Sequence, residues 1–288
     1  MSEVYFTYKG TLYPVMSTTQ KDIDFAENKF QVYDDDIFNI TFPKSGTTWM
    51  MEILSLIKTN GDPTWIKTVP NWDRVPWIEA PGVGEKLQTA NGNPRLITSH
   101  LGRHIFCKSF SSSNAKVIYT IRNPKDVLVS FYHFARMSAF FKDPESFDQF
   151  INDFLSGNVG YGSWFDHVKG WMEFAGKENF MLHSYEDMQK DLRGSIKKIA
   201  KFIGKELEEE TLESIVQNVT FENMKENCMA NFSLLPDLYM DQKKSPFMRK
   251  GISGDWKNHF TVAQNEYFDQ IYKEKMKDFN MKFVWDEN

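Results

Sequence analysis

The sequence has little of what several function classes require. Of its 288 residues only two are cysteine, Cys107 and Cys228, and they form no Cys-x-x-Cys pair. That excludes a disulfide framework and a cysteine-based zinc site, and it fits a reducing, cytoplasmic setting with both thiols inert. No apolar run approaches the roughly 18 residues of a membrane-spanning helix. The opening residues, MSEVYFTYKG, carry no basic stretch followed by an apolar one, so neither a secretory leader nor a membrane partner is expected. Positive charge is not in excess: the formal net charge is −5. Bulk attraction to nucleic acid is therefore not expected, and an anionic ligand has to be held by local cations. There is no internal repeat and no low-complexity segment.

What is present is a chain with 41% hydrophobic and 15% aromatic residues, ample for one large α/β domain over residues 1–288 rather than two small ones. Residues 1–36 read as surface-wrapping segments plus one short helix. The apolar run Ile37–Phe42 reads as a buried strand. Pro43-Lys44-Ser45-Gly46-Thr47-Thr48 follows as a tight loop, and from Trp49 onward apolar residues fall at helical spacing. Residues 69–95 hold several prolines and then Asn91-Gly92-Asn93-Pro94, which predicts a long irregular segment. Arg95–His100, Lys116–Ile121 and Phe180–Tyr185 read as further strands. Asn123 is placed to cap a helix of about Lys125–Met137. Another helix is expected to start at Asp143-Pro144 and end at Gly157, and Thr261–Gln264 reads as a capping box. Strands alternating with helices predict a parallel sheet flanked by helices, with ligands at the carboxyl ends of the strands. The polar tips Lys44, His100 and Arg122 each follow a strand, which predicts one shared crevice.

The loop at Lys44–Thr48 has the makings of a phosphate cradle. A helix N-terminus offers unpaired N–H donors and the positive end of the dipole. Gly46 permits close backbone approach, Lys44 adds a point charge, and the hydroxyls add donors. It is not the Gly-x-x-x-x-Gly-Lys-Ser/Thr loop of P-loop kinases, and on its own it also fits an ordinary strand-to-helix turn. Arg122 with Ser130, two turns into the next helix, could grip a second phosphate, or Arg122 could simply lie on the surface beside a capped helix. Arg249-Lys250-Gly251-Ile-Ser-Gly254-Asp255-Trp256-Lys257 sets two cations beside a glycine, as an anion-wrapping segment or a basic surface loop.

Taken together these strings resemble the cytosolic sulfotransferases, which move a sulfonyl group from 3′-phosphoadenosine 5′-phosphosulfate (PAPS), leaving adenosine 3′,5′-bisphosphate (PAP). The resemblance covers nearly the whole chain, with Pro43–Trp49, Arg122–Ser130, Gly162–His167, Tyr185-Glu186 and Arg249–Lys257 in family order. It implies that Lys44, Ser45, Gly46, Thr47, Thr48 and Trp49 hold the phosphosulfate and adenine side. Arg122 and Ser130 would take the 3′-phosphate, and Tyr185 the adenine. Thr220, Phe221 and Met224, with Phe247, Met248, Arg249, Lys250 and Gly251, would close over the cofactor. His100 matches the general base and Lys44 the residue that stabilises the leaving phosphate, with no metal required. The family usually has proline after His-Leu; this chain has Gly102, a departure that bears on the acceptor loop.

By the same resemblance Trp77, Phe134, Tyr239 and Met240 line an apolar acceptor pocket. Pro70–Trp77 and Phe283–Asp286 lean toward the hydroxysteroid-type members, with phenol- or amine-type acceptors as alternatives. Lys257, Thr261, Val262 and Glu266 resemble the short segment through which family members pair as homodimers. Outside the family, a P-loop small-molecule kinase and a non-catalytic nucleotide-binding protein are the competing readings. The first needs a Walker loop and a strand-end Asp for Mg²⁺; His100 weighs against the second. Of the remaining histidines, His133, His167, His183 and His259 read as structural or surface. The spacing of His100 and His104 fits no metal site once Gly102 and the strand pattern are considered.

Overall fold

The computed structural model describes residues 4–90 and 94–286; the turn expected at Asn91-Gly92-Asn93 lies outside them. Six strands occur among the described residues: β1 Tyr5–Tyr8, β2 Thr11–Pro14, β3 Ile37–Thr41, β4 Leu96–Ser99, β5 Lys116–Ile121 and β6 Phe180–Ser184. The last four form one parallel sheet in the order β4-β3-β5-β6. Every residue of β3 and β4 is buried, as continuous apolar strands are when helices cover both faces of a parallel sheet.

The two faces differ. One carries Phe38, Ile40, Val117 and Tyr119 into an aromatic layer with Phe131, Trp164 and Trp171. The other carries Ile37, Leu96 and Ile118 into an aliphatic layer with Met50, Ile53, Ile196 and Ile199. The parallel register puts Thr41, Ser99, Ile121 and Ser184 at one edge of the sheet. Lys44, His100, Arg122 and Tyr185 follow within three residues, so this edge carries the chemistry.

The helix after β3 spans Thr47–Lys58 and starts two residues earlier than the apolar spacing suggests, because Gly46 is its N-cap in the left-handed region at φ 106°. The helix Pro124–Met137 is capped by the Asn123 side chain, as expected. Thr261 and Gln264 complete both halves of the capping box at the head of Val262–Met276. Two expectations are corrected. The helix placed at Asp143 starts at Phe147, because Ser146 rather than Asp143 accepts the first free N–H. Residues 4–36 are not merely a surface wrap. The β1–β2 hairpin turns through Lys9 and Gly10 at φ 47° and 83°, a mirror-type turn suited to strand twist. It carries Tyr13 into the core, followed by Ile23 and Phe30 around the helix Gln20–Asn28. The irregular stretch 69–95 contains short helices at Asn71–Arg74 and Val83–Thr89. Trp77 in that stretch pairs with Thr98 along the open side of β4.

Candidate active site

A cavity of about 380 Å³ opens at the carboxyl edge of the sheet, and its wall includes Lys44, Gly46, Thr47, Thr48, Trp49, His100, Arg122, Ser130 and Tyr185. The cradle is built from backbone constraint. Lys44 has φ 70° and Gly46 φ 106°, so the loop doubles back on itself. A Cβ at Gly46 would stand 2.9 Å from the Tyr185 ring, so glycine is required both by conformation and by space. The N–H groups of the first helical turn lack intrahelical partners, and Thr47, Thr48 and Trp49 of that turn line the cavity. Ser45 is buried beneath them with its hydroxyl unpartnered. Trp49 is fixed by its indole N–H, which donates to the Val219 carbonyl at 2.9 Å, and its ring meets that of Tyr185 edge-on at 5.3 Å.

Four cations converge. The Arg122 guanidinium lies 4.2 Å from the centre of the Tyr185 ring and donates to the carbonyls of Lys44 and Ile252 at 3.0 and 3.1 Å. Its Nε has no partner, nor does that of Arg249. Arg249 and Lys250 are held by Asp255 at 2.8 and 2.6 Å, and Asp126 accepts from the N–H groups of Gly254 and Trp256. The Lys44 ammonium stands over the rings of Phe134 and Phe247, at 3.9 and 4.3 Å. Burial, then the charges of Arg122 and Arg249, bring its pKa down to about 7. Lys44 and Arg122 have no carboxylate partner among the described residues, and the unpartnered Nε groups of Arg122 and Arg249 suit phosphate and sulfate oxygens.

His100 stands on the first residue beyond β4. Its Nδ1 donates to the Thr41 carbonyl at 2.8 Å; a carbonyl can only accept, so that nitrogen carries the proton and Nε2 keeps a free lone pair. Burial draws the imidazole pKa down to about 4, with the Lys44 charge adding to the effect and the Thr41 bond opposing it. The ring is therefore neutral at pH 7. It lies between Trp77 and Tyr161, at 6.0 and 5.1 Å between ring centres. His167, read as structural or surface, is buried and structural, with Nε2 bonded to the His100 carbonyl at 3.2 Å and Nδ1 to the Tyr119 hydroxyl at 2.8 Å.

The rest of the cavity wall is mostly apolar. Trp77, Phe134 and Met240 form part of it, as do Phe221, Met224, Phe247, Met248, Arg249, Lys250 and Gly251. Three of the expected residues stand off the wall. Ser45 lies below it. Thr220 caps the helix Phe221–Glu226 through the Asn223 N–H. Tyr239 is an exposed rim residue stacked on Phe140. Gly102 has φ −64° and ψ 152°, a conformation open to proline, so its presence does not redirect the loop.

A family profile described as "Sulfotransferase domain" matches residues 34–280. Sulfotransferase 2B1 of Homo sapiens is 51% identical over 284 residues, covering 99% of this chain and 77% of that protein. The chain belongs to the sulfotransferase family. The 3-beta-hydroxysteroid sulfotransferase of Cavia porcellus is 46% identical over 288 residues, the full length of both. Among solved structures, mouse sulfotransferase SULT7A1 complexed with PAP aligns with a TM-score of 0.79 at 31% identity, covering 96% of each chain. Within this sulfotransferase, sequence reasoning missed Ser17, Phe140, Phe141, Tyr161, Phe232 and Leu235, all on the cavity wall. Their aromatics look like core residues in sequence, and only the fold brings their loops together. The one available signal was the density of aromatics in irregular segments beside Tyr239 and Met240.

Proposed function

We propose that this sulfotransferase uses PAPS to sulfonate a hydroxyl of a small lipophilic acceptor, of the steroid or related alcohol class. The observation that carries the reading is the free, neutral Nε2 of His100 in the same cavity as Lys44 and the glycine cradle. PAPS supplies the sulfonyl group and departs as PAP. Lys44, the first-turn N–H groups and Trp49 hold the 5′-phosphosulfate end; Arg122, Ser130 and the Arg249–Gly251 segment hold the 3′-phosphate. His100 takes the acceptor proton at Nε2 while Thr41 keeps the ring oriented. Lys44 steadies charge growing on the departing phosphate oxygen, a role that needs no metal. Trp77, Phe134, Phe232 and Met240 give a rigid apolar wall suited to a fused-ring alcohol. The relatives, one of them a 3-beta-hydroxysteroid sulfotransferase, support that acceptor class over phenols and amines. Purified protein incubated with labelled PAPS and a panel of sterols, phenols and amines tests it: label on the sterols is expected, and label on the phenols or amines alone overturns the acceptor assignment.

The chain works as one domain, 1–288, in the cytoplasm, and pairs as a homodimer through Lys257, Thr261, Val262 and Glu266. Among the described residues no helix is long and apolar enough to cross a membrane. Val262 is 75% exposed at the head of its helix, while Thr261 is occupied in capping, so the valine is free to meet a second copy across a two-fold axis. Val262→Glu should sediment as a folded monomer; a wild-type protein that is already monomeric at micromolar concentration ends the dimer reading.

A further inference from the structure

Glu79 is a buried carboxylate, 1% exposed, in the segment that runs along the open side of β4. That segment extends the sheet for a short way. The Thr98 N–H donates to the Pro76 carbonyl at 2.9 Å, and the Ile78 N–H to the Thr98 carbonyl at 3.0 Å. The ladder ends there, and the next inward-facing donor on the β4 side is the N–H of His100. It is the Glu79 side chain that meets it: Oε1 accepts from the His100 N–H at 2.7 Å. The carboxylate thus stands in for the next backbone carbonyl of the ladder. Glu79 is fixed in turn by Thr18, whose hydroxyl donates to the Glu79 carbonyl. Its second oxygen, Oε2, is buried with no hydrogen-bond partner. Burying a carboxylate this incompletely satisfied is costly; the contacts it makes are with the His100 N–H, its own backbone and the Ser99 side chain, all at the end of β4 where His100 stands.

We propose that Glu79 is a positioning residue for the general base: its carboxylate fixes the main chain of His100 and so sets where the imidazole Nε2 stands in the cavity. This rests on the reading of His100 as the base. The ring is anchored by Thr41 and the His100 carbonyl by His167; Glu79 supplies the remaining anchor, and a base displaced by a fraction of an ångström transfers protons poorly. Trp77 and Ile78 precede Glu79 directly, so the same segment that walls the acceptor also sets the base.

The test compares two side chains of about the same length. Glu79→Met has no acceptor; Glu79→Gln keeps a carbonyl oxygen at the end of the side chain. Glu79→Met should lose roughly 10- to 50-fold in kcat with PAP affinity unchanged, a part of the full general-base contribution. Glu79→Gln should recover to within about threefold of wild type. In a His100→Ala background Glu79→Met should cost nothing further, because residues that act through one another are not additive. Should Glu79→Met not fold, Glu79→Asp, which draws the carboxylate back by one methylene, reads the same quantity. Turnover within twofold of wild type in the acceptor-less variant, an equal loss in the His100→Ala background, or a parallel loss of PAP binding each overturns the proposal. Wild-type turnover by His100→Ala alone would instead overturn the base reading.

Discussion

The side of the cavity where we place the nucleotide is built on backbone and fixed cations, whereas the side where we place the acceptor is built on apolar side chains from separate segments of the chain. On the first side Gly46, the turn at Lys44 and the helix N-terminus are bound to one strand-to-helix junction. Arg122 is clamped to two carbonyls. On the second, Phe232 rests on Phe247 at 4.4 Å and on Trp72 at 5.3 Å between ring centres, contacts of shape rather than of directed bonds. A cradle for an anion demands directed N–H groups, and these come from contiguous sequence. A pocket for an apolar ring demands only shape, which many sequences provide. The two sides meet at Lys44, whose ammonium belongs to the cradle while lying against Phe134 and Phe247 of the wall.

The strongest way to break this contrast is at that meeting point. Lys44→Ala should lower kcat by at least about 100-fold, on the order of 3 kcal/mol of barrier, because the developing charge loses its cation. Steady-state turnover measures it, and a loss of only a few-fold would mean that the N–H groups alone suffice. Next in size, Arg122→Ala should erase much of the preference for PAPS over adenosine 5′-phosphosulfate, which lacks the 3′-phosphate; competition kinetics with both donors would show it. Equal use of the two donors by the wild-type protein would contradict a separate 3′-phosphate site.

On the acceptor side effects should be smaller and of a different kind. Phe232→Ala should raise the acceptor KM roughly 5- to 10-fold through lost apolar contact, while leaving PAP affinity unchanged. Calorimetry alongside kinetics separates the two, and a matching loss of PAP affinity would show that the sides are not independent. The smallest effect is in the pH profile. Lys44, at about 7 in the free protein, must be charged to act, so kcat/KM for the donor should fall as pH rises through 7. Donor phosphates raise the Lys44 pKa when bound, so kcat should hold to higher pH. His100, at about 4, stays neutral across this range and places the acid limb below pH 5. Coincident alkaline limbs for kcat and kcat/KM would contradict the assignment to Lys44.

The same contrast explains what was legible in the sequence. The parallel sheet, the cradle and the strand-end placement of Lys44, His100 and Arg122 could be read directly, because strand, turn and helix signals there are local. Tyr161 and Phe232 could not, because nothing in their neighbourhoods says which cavity a loop aromatic will face. The β1–β2 hairpin was missed because its strands are four residues each and its Lys9-Gly10 turn lacks the stronger Asn-Gly signal. Glu79 was invisible for a related reason: its partner is a backbone N–H twenty-one residues away, and backbone donors leave no mark in sequence.

The central claim is that the cations hold the nucleotide and His100 acts only on the acceptor. The direct measurement is a calorimetric titration of His100→Ala with PAP, paired with turnover of the same preparation. PAP should bind with wild-type affinity while turnover falls by about 100-fold or more, the share a general base supplies. Turnover close to wild type, or loss of PAP binding together with turnover, would contradict it.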